Sequence, residues 1–294
     1  MNPLDLLLEP LQYEFMVRAL LATTIAAVVC ALLSCWLVLV GWSLMGDAVA
    51  HAVFPGVVIA YAVGAPFALG ALVFGFLAVS LIGAVRGTHR VKEDAAIGIV
   101  FTTLFALGLV LVSVTPSQIN LGHIIFGNVL GVSAADLVQI SILASVAAFV
   151  LLLKRRDFTL FAFDPAHAHA MGINPRVLSA MLLGLLALIA VVALQVVGVI
   201  LVVAMLIIPG ATAYLITDRI SRMLVIAPVI AATCSVTGIY LSYWLDASSG
   251  GLVVVVQGAV FALVAILSPR HGLVGRRVTA QRRRLATKET FLSA

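Results

Sequence analysis

Charge is scarce in this chain of 294 residues: Asp, Glu, Lys and Arg make up 10% of it, whereas hydrophobic residues make up 63%. Soluble domains carry about 25% charged residues, so this composition excludes a water-soluble domain. The mean hydropathy of +1.23 agrees. We therefore predict an integral membrane protein with one folded domain, a helical bundle.

Several motifs are also absent. No segment matches the phosphate-binding loop GxxxxGK[ST], so any ATP hydrolysis that drives this protein resides on another chain. No HExxH motif is present, which argues against an intramembrane metalloprotease. Cys30, Cys35 and Cys234 lack metal-ligand spacing and are predicted to be buried in apolar runs. Residues 1–14 do not resemble a signal peptide, so we expect targeting to depend on the spans.

Long apolar runs, by contrast, are abundant. A span needs roughly 20 apolar residues to cross ~30 Å of hydrocarbon. The boundary near 193–198 has almost no polar loop, and segment 119–133 is compatible with a re-entrant or interfacial segment, so the sequence allows eight to ten spans. We predict an all-α polytopic bundle of about eight or nine transmembrane helices. The candidate runs lie near 16–40, 41–63, 66–85, 95–114, 134–153, 177–194, 196–216, 223–245 and 250–267.

Basic residues set the orientation. All 17 Lys and Arg except Arg18 fall in four places. By the positive-inside rule these places are cytoplasmic. The prediction is an extracytoplasmic segment 1–15, a transmembrane domain 16–267, and a basic cytoplasmic tail 268–294 that is solvated or faces lipid and does not bind nucleic acid. The basic sites are Arg86 to Lys92, Lys154 to Arg176, Arg219 with Arg222, and Arg270 to Lys288.

The second predicted span contains two ionisable residues, Asp47 and His51. Their i, i+4 spacing places both on one helix face, and a helix starting at Gly41 places His51 ~16 Å into the membrane. Such residues face a cavity or the bundle interior and mark ion or proton paths. A divalent-cation site, a proton relay and a structural Asp–His hydrogen bond all fit. A carboxylate with an imidazole suits Mn²⁺, Fe²⁺ or Zn²⁺, and a homodimer or pseudo-symmetric partner could supply a second pair and complete four ligands.

Prolines and glycines predict irregular places along the chain. Pro55, and Pro209 with Gly210, lie within predicted spans and indicate helix kinks or gates. In the cytoplasmic loop 154–176, Asp164 and Pro165 predict the start of a two-turn helix. Gly172 and Pro175 predict its end. Spacing alone does not distinguish a plain connector from a docking helix. His167 and His169 point apart on such a helix and make poor joint ligands.

Taken in order, several blocks of the sequence resemble the permease subunits of manganese, iron and zinc ABC importers. The resemblance spans roughly residues 13–275. Two departures stand out: Ala50 replaces a frequent Ser, and Gly41 with Trp42 replace basic residues. The blocks are "LMGDAVAHAVFPGVVIAY", "KEDAAIGIVFTTLFALGLVLVS", "HIIFGNVLGVS", "FDPAHAHAMGI", "VVGVILVVAMLIIPGATAYLITDR" and "SPRHGL".

The resemblance implies a bacterial inner-membrane permease, itself not an enzyme, that imports a divalent metal, manganese ahead of iron or zinc. It implies no permanently bound cofactor. Its expected partners are a second permease (identical or paralogous), a cytoplasmic ABC ATPase dimer, an extracytoplasmic metal-binding lipoprotein and membrane lipids. Asp47 and His51 map to the metal path. Segment 163–173, with Asp164, Pro165, Ala168 and Gly172, maps to the ATPase-coupling segment. The alternative is a proton-coupled secondary metal transporter that uses the same pair.

Overall fold

The computed structural model describes residues 9–86, 92–115 and 129–268, which form helices and no β-strand. The tail 269–294 and most of segment 119–133 lie outside the described residues. Two short 3₁₀ turns occupy Glu9–Gln12 and Val129–Gly131. The helices are α1 (Glu14–Val40), α2 (Ser43–Ala52), α3 (Phe54–Ala62), α4 (Phe67–Arg86), α5 (Glu93–Val114), α6 (Ala134–Leu153), α7 (Arg155–Phe163), α8 (Pro165–Ala170), α9 (Pro175–Ile216), α10 (Ile220–Leu245) and α11 (Ser249–Leu267).

Eight segments of the described chain are long and apolar enough to cross a membrane, which confirms the predicted polytopic bundle. The consecutive helices α2 and α3 count as one of them. The ninth run predicted from the sequence, 196–216, is present as the shorter apolar helix Leu201–Ile216. It follows the first part of α9 with no loop, and only Gly198, with φ 73° and ψ 170°, departs from helical geometry.

A two-residue connection joins α1 to α2. Gly41 ends α1 with φ 82°, a left-handed conformation that costs glycine little. The amide of Trp42 donates to the Leu37 carbonyl at 2.8 Å and closes the last turn of α1. Only Gly41 and Trp42 separate the two helices.

The second span is divided at Val53, one residue before α3 begins and two before Pro55. Pro55 lies in the first turn of α3, where its missing N–H removes no bond that the new helix needs. The backbone of α3 touches that of α4, since a Cβ built on Gly56 would overlap the carbonyl of Gly70, and one on Gly70 would overlap that of Gly56. Two glycines therefore permit this contact.

Burial separates the helices into two groups. The spans formed by α1, by α2 with α3 and by the first part of α9 are mostly buried inside the protein. Those of α4, α5, α6, α10 and α11 are mostly exposed, with large apolar side chains such as Val73, Val110 and Phe149 on the outside. In a membrane protein those exposed apolar faces meet lipid or another transmembrane chain. The central helices are therefore the ones that can line a path through the chain.

One helix was not anticipated. The sequence predicts a loop before the short helix at Pro165, but residues Arg155–Phe163 form α7, which follows α6 almost without a break. Its Phe158 and Phe161 are buried against α1 and the Trp42 turn, so packing fixes this helix in place.

Candidate metal site

Asp47 and His51 lie one helical turn apart on α2, as their spacing predicts. The Nδ1 atom of His51 is 3.1 Å from Oδ1 of Asp47 and 3.0 Å from the Asp47 backbone carbonyl oxygen. From the start of α2 at Ser43, His51 lies about 12 Å along the helix, close to the middle of a ~30 Å hydrocarbon layer. Both members of the pair thus belong to one helix, and His51 lies near the middle of the membrane.

The contacts of Nδ1 determine which ring nitrogen is available. Both neighbours of Nδ1 are oxygen acceptors, so in the neutral imidazole Nδ1 carries the hydrogen and donates it. The lone pair is then on Nε2, the arrangement in which a carboxylate orients a metal-binding histidine. Nε2 lies across the ring from Asp47, so direct binding of one ion by both residues would require a side chain to rotate.

Aromatic rings of α5 flank His51. Phe101 and Phe105 stand edge-to-face to the imidazole, with ring centroids at 5.1 Å and 5.4 Å. Phe54, one turn further along the second span, contacts Phe105 at 5.8 Å. A Cβ on Gly108 of α5 would overlap the Phe54 ring, so a glycine makes room for it. These rings hold the imidazole on one side and exclude water there, and no pattern in the sequence indicates their contact with His51.

The other side of the pair is open on this chain. The Asp47 and His51 side chains are 36% and 25% exposed, and Leu44, one turn before Asp47, is also exposed. A carboxylate facing lipid is costly, so this face requires water or a second protein chain beside it. Among the described residues no cluster of three or more His, Cys, Asp or Glu could hold a metal ion. An ion bound by this pair would take its further ligands from outside this set.

The predicted coupling segment forms a well-capped short helix, α8. The Asp164 carboxylate accepts a hydrogen bond from the His167 amide at 2.9 Å, with Pro165 as the first helical residue. Ala168 is fully buried. Gly172, with φ 79°, lets the amide of Ile173 reach the Ala168 carbonyl at 3.0 Å and close the helix. His169 and its neighbour His167 are both exposed.

Pro175 follows the coupling segment and is the first residue of α9. Asn174 caps α9, because its side-chain oxygen accepts a hydrogen bond from the Arg176 amide.

Helix α7, which precedes the coupling segment, packs against α1 and against Trp42, next to the helix that carries Asp47 and His51. Phe158 stands edge-to-face to Trp36 at 5.9 Å, and Phe161 to Trp42 at 6.1 Å. The indole N–H of Trp36 also donates to the Thr159 hydroxyl at 3.3 Å. Trp42 directly precedes α2. The i, i+3 aromatic spacing of α7 was the signal in the sequence that predicts a packed helix face.

Pro209 and Gly210 also occupy a defined environment. The second part of α9 continues through Pro209, and Ser34 of α1 supplies the polar contact there. The Ser34 hydroxyl donates to the Ile207 carbonyl at 3.3 Å and accepts from the Gly210 amide at 3.1 Å. A Cβ on Gly210 would lie 2.7 Å from the Ser34 carbonyl oxygen, so the two helices touch through their backbones.

Comparison with known proteins identifies the class of this chain. The model of the family described as "ABC 3 transport family" matches residues 12–268. The chain belongs to the ABC 3 transport family. It is a multi-pass permease subunit of a metal ABC importer in the inner membrane, it works with a partner permease, and ATP hydrolysis resides on a separate chain. The resemblance found in the sequence is thus confirmed.

Several known proteins match over nearly the whole chain. The manganese transport system membrane protein MntB of Synechocystis sp. is 51% identical, over 92% of this chain and 88% of MntB. The chelated iron transport system membrane protein YfeC of Yersinia pestis is 46% identical, over 96% of each chain. Among solved structures, PsaBC from Streptococcus pneumoniae in complex with Fab matches at a TM-score of 0.86 and 33% identity, over 95% of this chain and 99% of that chain.

Proposed function

We propose that this permease passes a divalent transition-metal ion inward, manganese ahead of iron or zinc, through a site built on Asp47 and His51. The observation that carries the proposal is the Nδ1 contact with Asp47, which leaves Nε2 of His51 available to a metal in mid-membrane. Manganese is the cargo named for MntB of Synechocystis, and chelated iron that named for YfeC of Yersinia pestis. A borderline imidazole with a hard carboxylate suits both metals.

The open side of the pair supports a site shared between two permeases. A second copy, or a paralogous permease, that faces Leu44, Asp47 and His51 would cover the exposed carboxylate and could add a second pair of ligands. The same partner would keep lipid away from Asp47, whose charge is costly in hydrocarbon. The ion then exchanges part of its water shell for protein ligands at the centre of the complex.

The coupling segment 163–173 is the proposed contact for the ATPase dimer, with Asp164, Pro165, Ala168 and Gly172 shaping it. Contacts of α7 with Trp36 and Trp42 support this assignment, because they connect the segment to the start of α2. Pro55, Pro209 and Gly210 mark the places where the central helices would adjust during transport. An extracytoplasmic metal-binding lipoprotein would deliver the ion to the opposite face, and the C-terminus would be cytoplasmic.

Manganese uptake by the assembled importer in proteoliposomes tests the site. We expect the double variant Asp47→Ala with His51→Ala to lose uptake almost completely. Asp246→Asn is the matched control, because it removes an acidic charge at the end of α10 in a left-handed position that Asn tolerates. Uptake by the double variant at the wild-type rate would refute the site. Uptake that needs a proton gradient but no ATPase would instead support a secondary transporter.

A further inference from the structure

A groove of about 500 Å³ lies between α7 and the first turns of α10. The span α6 ends at Leu153 and α7 starts at Arg155, while the span α10 starts at Ile220. Both walls of the groove are therefore residues at the point where a transmembrane helix meets the membrane surface. Because the same end of the bundle carries the predicted coupling segment, the groove opens at the boundary of that leaflet.

The wall formed by α7 is positively charged. Arg155 and Arg156 both line the groove and are exposed. The neighbouring Lys154 is paired, with its Nζ 3.0 Å from Oδ2 of Asp157. Within residues 9–86, 92–115 and 129–268, the structure shows no such ion pair for either arginine. Two guanidinium groups therefore offer their donors to an anion from outside this set.

Apart from the hydroxyl residues Thr159 and Ser221, the remainder of the groove is apolar. Leu160 and Phe163 continue the α7 wall, and Ile220 and Leu224 form the facing wall on α10. The Phe163 side chain is 65% exposed, which is costly in water but favourable against acyl chains. A ligand that fits this groove carries a negative charge at one end and hydrocarbon at the other.

We propose that this groove binds an anionic phospholipid, with its phosphate on Arg155 and Arg156 and the upper part of its acyl chains on Leu160, Phe163 and Leu224. Basic pockets between transmembrane helices hold anionic headgroups in this way, and guanidinium groups bind phosphate through paired hydrogen bonds. Charge complementarity and the position at the membrane boundary favour a lipid over a soluble anion. A cavity of this volume accommodates a headgroup and the first methylene groups, while the rest of the lipid stays in the bilayer.

The test measures lipid binding to the purified importer, with its ATPase attached, by native mass spectrometry and by thermal stabilisation. The probes are dioleoyl phosphatidylglycerol, dioleoyl phosphatidylcholine and inorganic phosphate. We expect phosphatidylglycerol to bind and stabilise the complex at concentrations where the other two do not. Arg155→Gln with Arg156→Gln should weaken phosphatidylglycerol binding about tenfold or more, because each basic side chain near the surface contributes substantially to holding an anionic lipid.

The matched control is Lys154→Gln with Arg176→Gln, which removes two positive charges from the same end of the bundle at residues that do not line the groove. It should bind phosphatidylglycerol as the wild type does. Arg155→Lys with Arg156→Lys keeps the charge and should retain most binding, which separates charge loss from misfolding. Equal binding of both lipids, or an equal loss in the control, would overturn the proposal. Stabilisation by inorganic phosphate alone would assign the groove to a soluble anion.

Discussion

At the scale of single residues, the roles of Asp47 and His51 can be separated by the contacts they make. Asp47 offers His51 two acceptors, the Oδ1 atom of its carboxylate and its own backbone carbonyl, and both meet Nδ1. Removing the side chain leaves the backbone acceptor, whereas converting it to an amide leaves both acceptors and removes only the charge. Comparison of these two substitutions at Asp47 therefore distinguishes a carboxylate that orients His51 from one that binds the ion directly.

We predict that Asp47→Ala weakens Mn²⁺ binding about 10- to 100-fold, the usual cost of losing an orienting partner of a metal-binding histidine. Asp47→Asn should weaken it clearly less, because the amide oxygen still accepts from Nδ1–H. His51→Ala should abolish binding, since it removes the ligand itself. Isothermal titration of the assembled importer with Mn²⁺ measures all three. An Asp47→Asn variant as defective as Asp47→Ala would show that the carboxylate coordinates the ion directly.

At the scale of helices, the contact between α3 and α4 depends on glycine. We predict that Gly56→Ala destabilises the fold by about 1–3 kcal/mol or more, because its methyl group would overlap the Gly70 carbonyl and force the two backbones apart. Thermal or denaturant-induced unfolding in detergent measures the change.

Gly83→Ala is the matched control for that change. It lies in α4, the helix that contains Gly70, and a Cβ there meets no atom within 4 Å. Since alanine favours a helix over glycine by up to about 1 kcal/mol, this control should be neutral or stabilising. Similar destabilisation by both substitutions would show that glycine flexibility, and not the backbone contact, matters at these positions.

Much of the helical architecture could be predicted from the sequence, because each segment that spans lipid must be a long apolar helix. These helices are interrupted at residues such as Gly41 and Gly198. The i, i+4 placement of Asp47 and His51 follows from helix geometry alone.

The rings around the pair could not be predicted in this way. Phe101 and Phe105 are distant in sequence, and their contact with His51 depends on how α5 packs against α2. Helix α7 was missed because burial of Phe158 and Phe161, and not helix propensity, stabilises it.

At the scale of the whole molecule, the fold connects the proposed ATPase contact to the proposed metal site over a short path. Helix α7 packs through Phe161 on Trp42, and Trp42 is the residue before the helix that carries Asp47 and His51. A displacement of α7 therefore pushes directly on the start of α2. Trp36 also contacts α7, through the Phe158 ring and the Thr159 hydroxyl.

We predict that Trp42→Leu lowers the amount of manganese transported per ATP hydrolysed, while ATP hydrolysis itself continues. Leucine keeps apolar bulk but loses the edge-to-face contact with Phe161, and changes along a coupling path alter coupling by roughly two- to thirtyfold. Trp42→Phe keeps an aromatic ring and should retain most of the coupling. Proteoliposomes containing the whole importer allow uptake and phosphate release to be measured together.

Trp244→Leu is the control for that experiment, because it removes a tryptophan that also makes an edge-to-face pair, with Tyr243, near the far end of α10. It should leave the ratio of metal to ATP unchanged. A Trp42→Leu variant that loses uptake and hydrolysis in equal proportion would point to loss of assembly. A variant that keeps full activity and the wild-type ratio would show that motion of the ATPase reaches α2 by another route. Because the readout is a ratio, it is independent of whether Asp47 binds the ion directly or only orients His51.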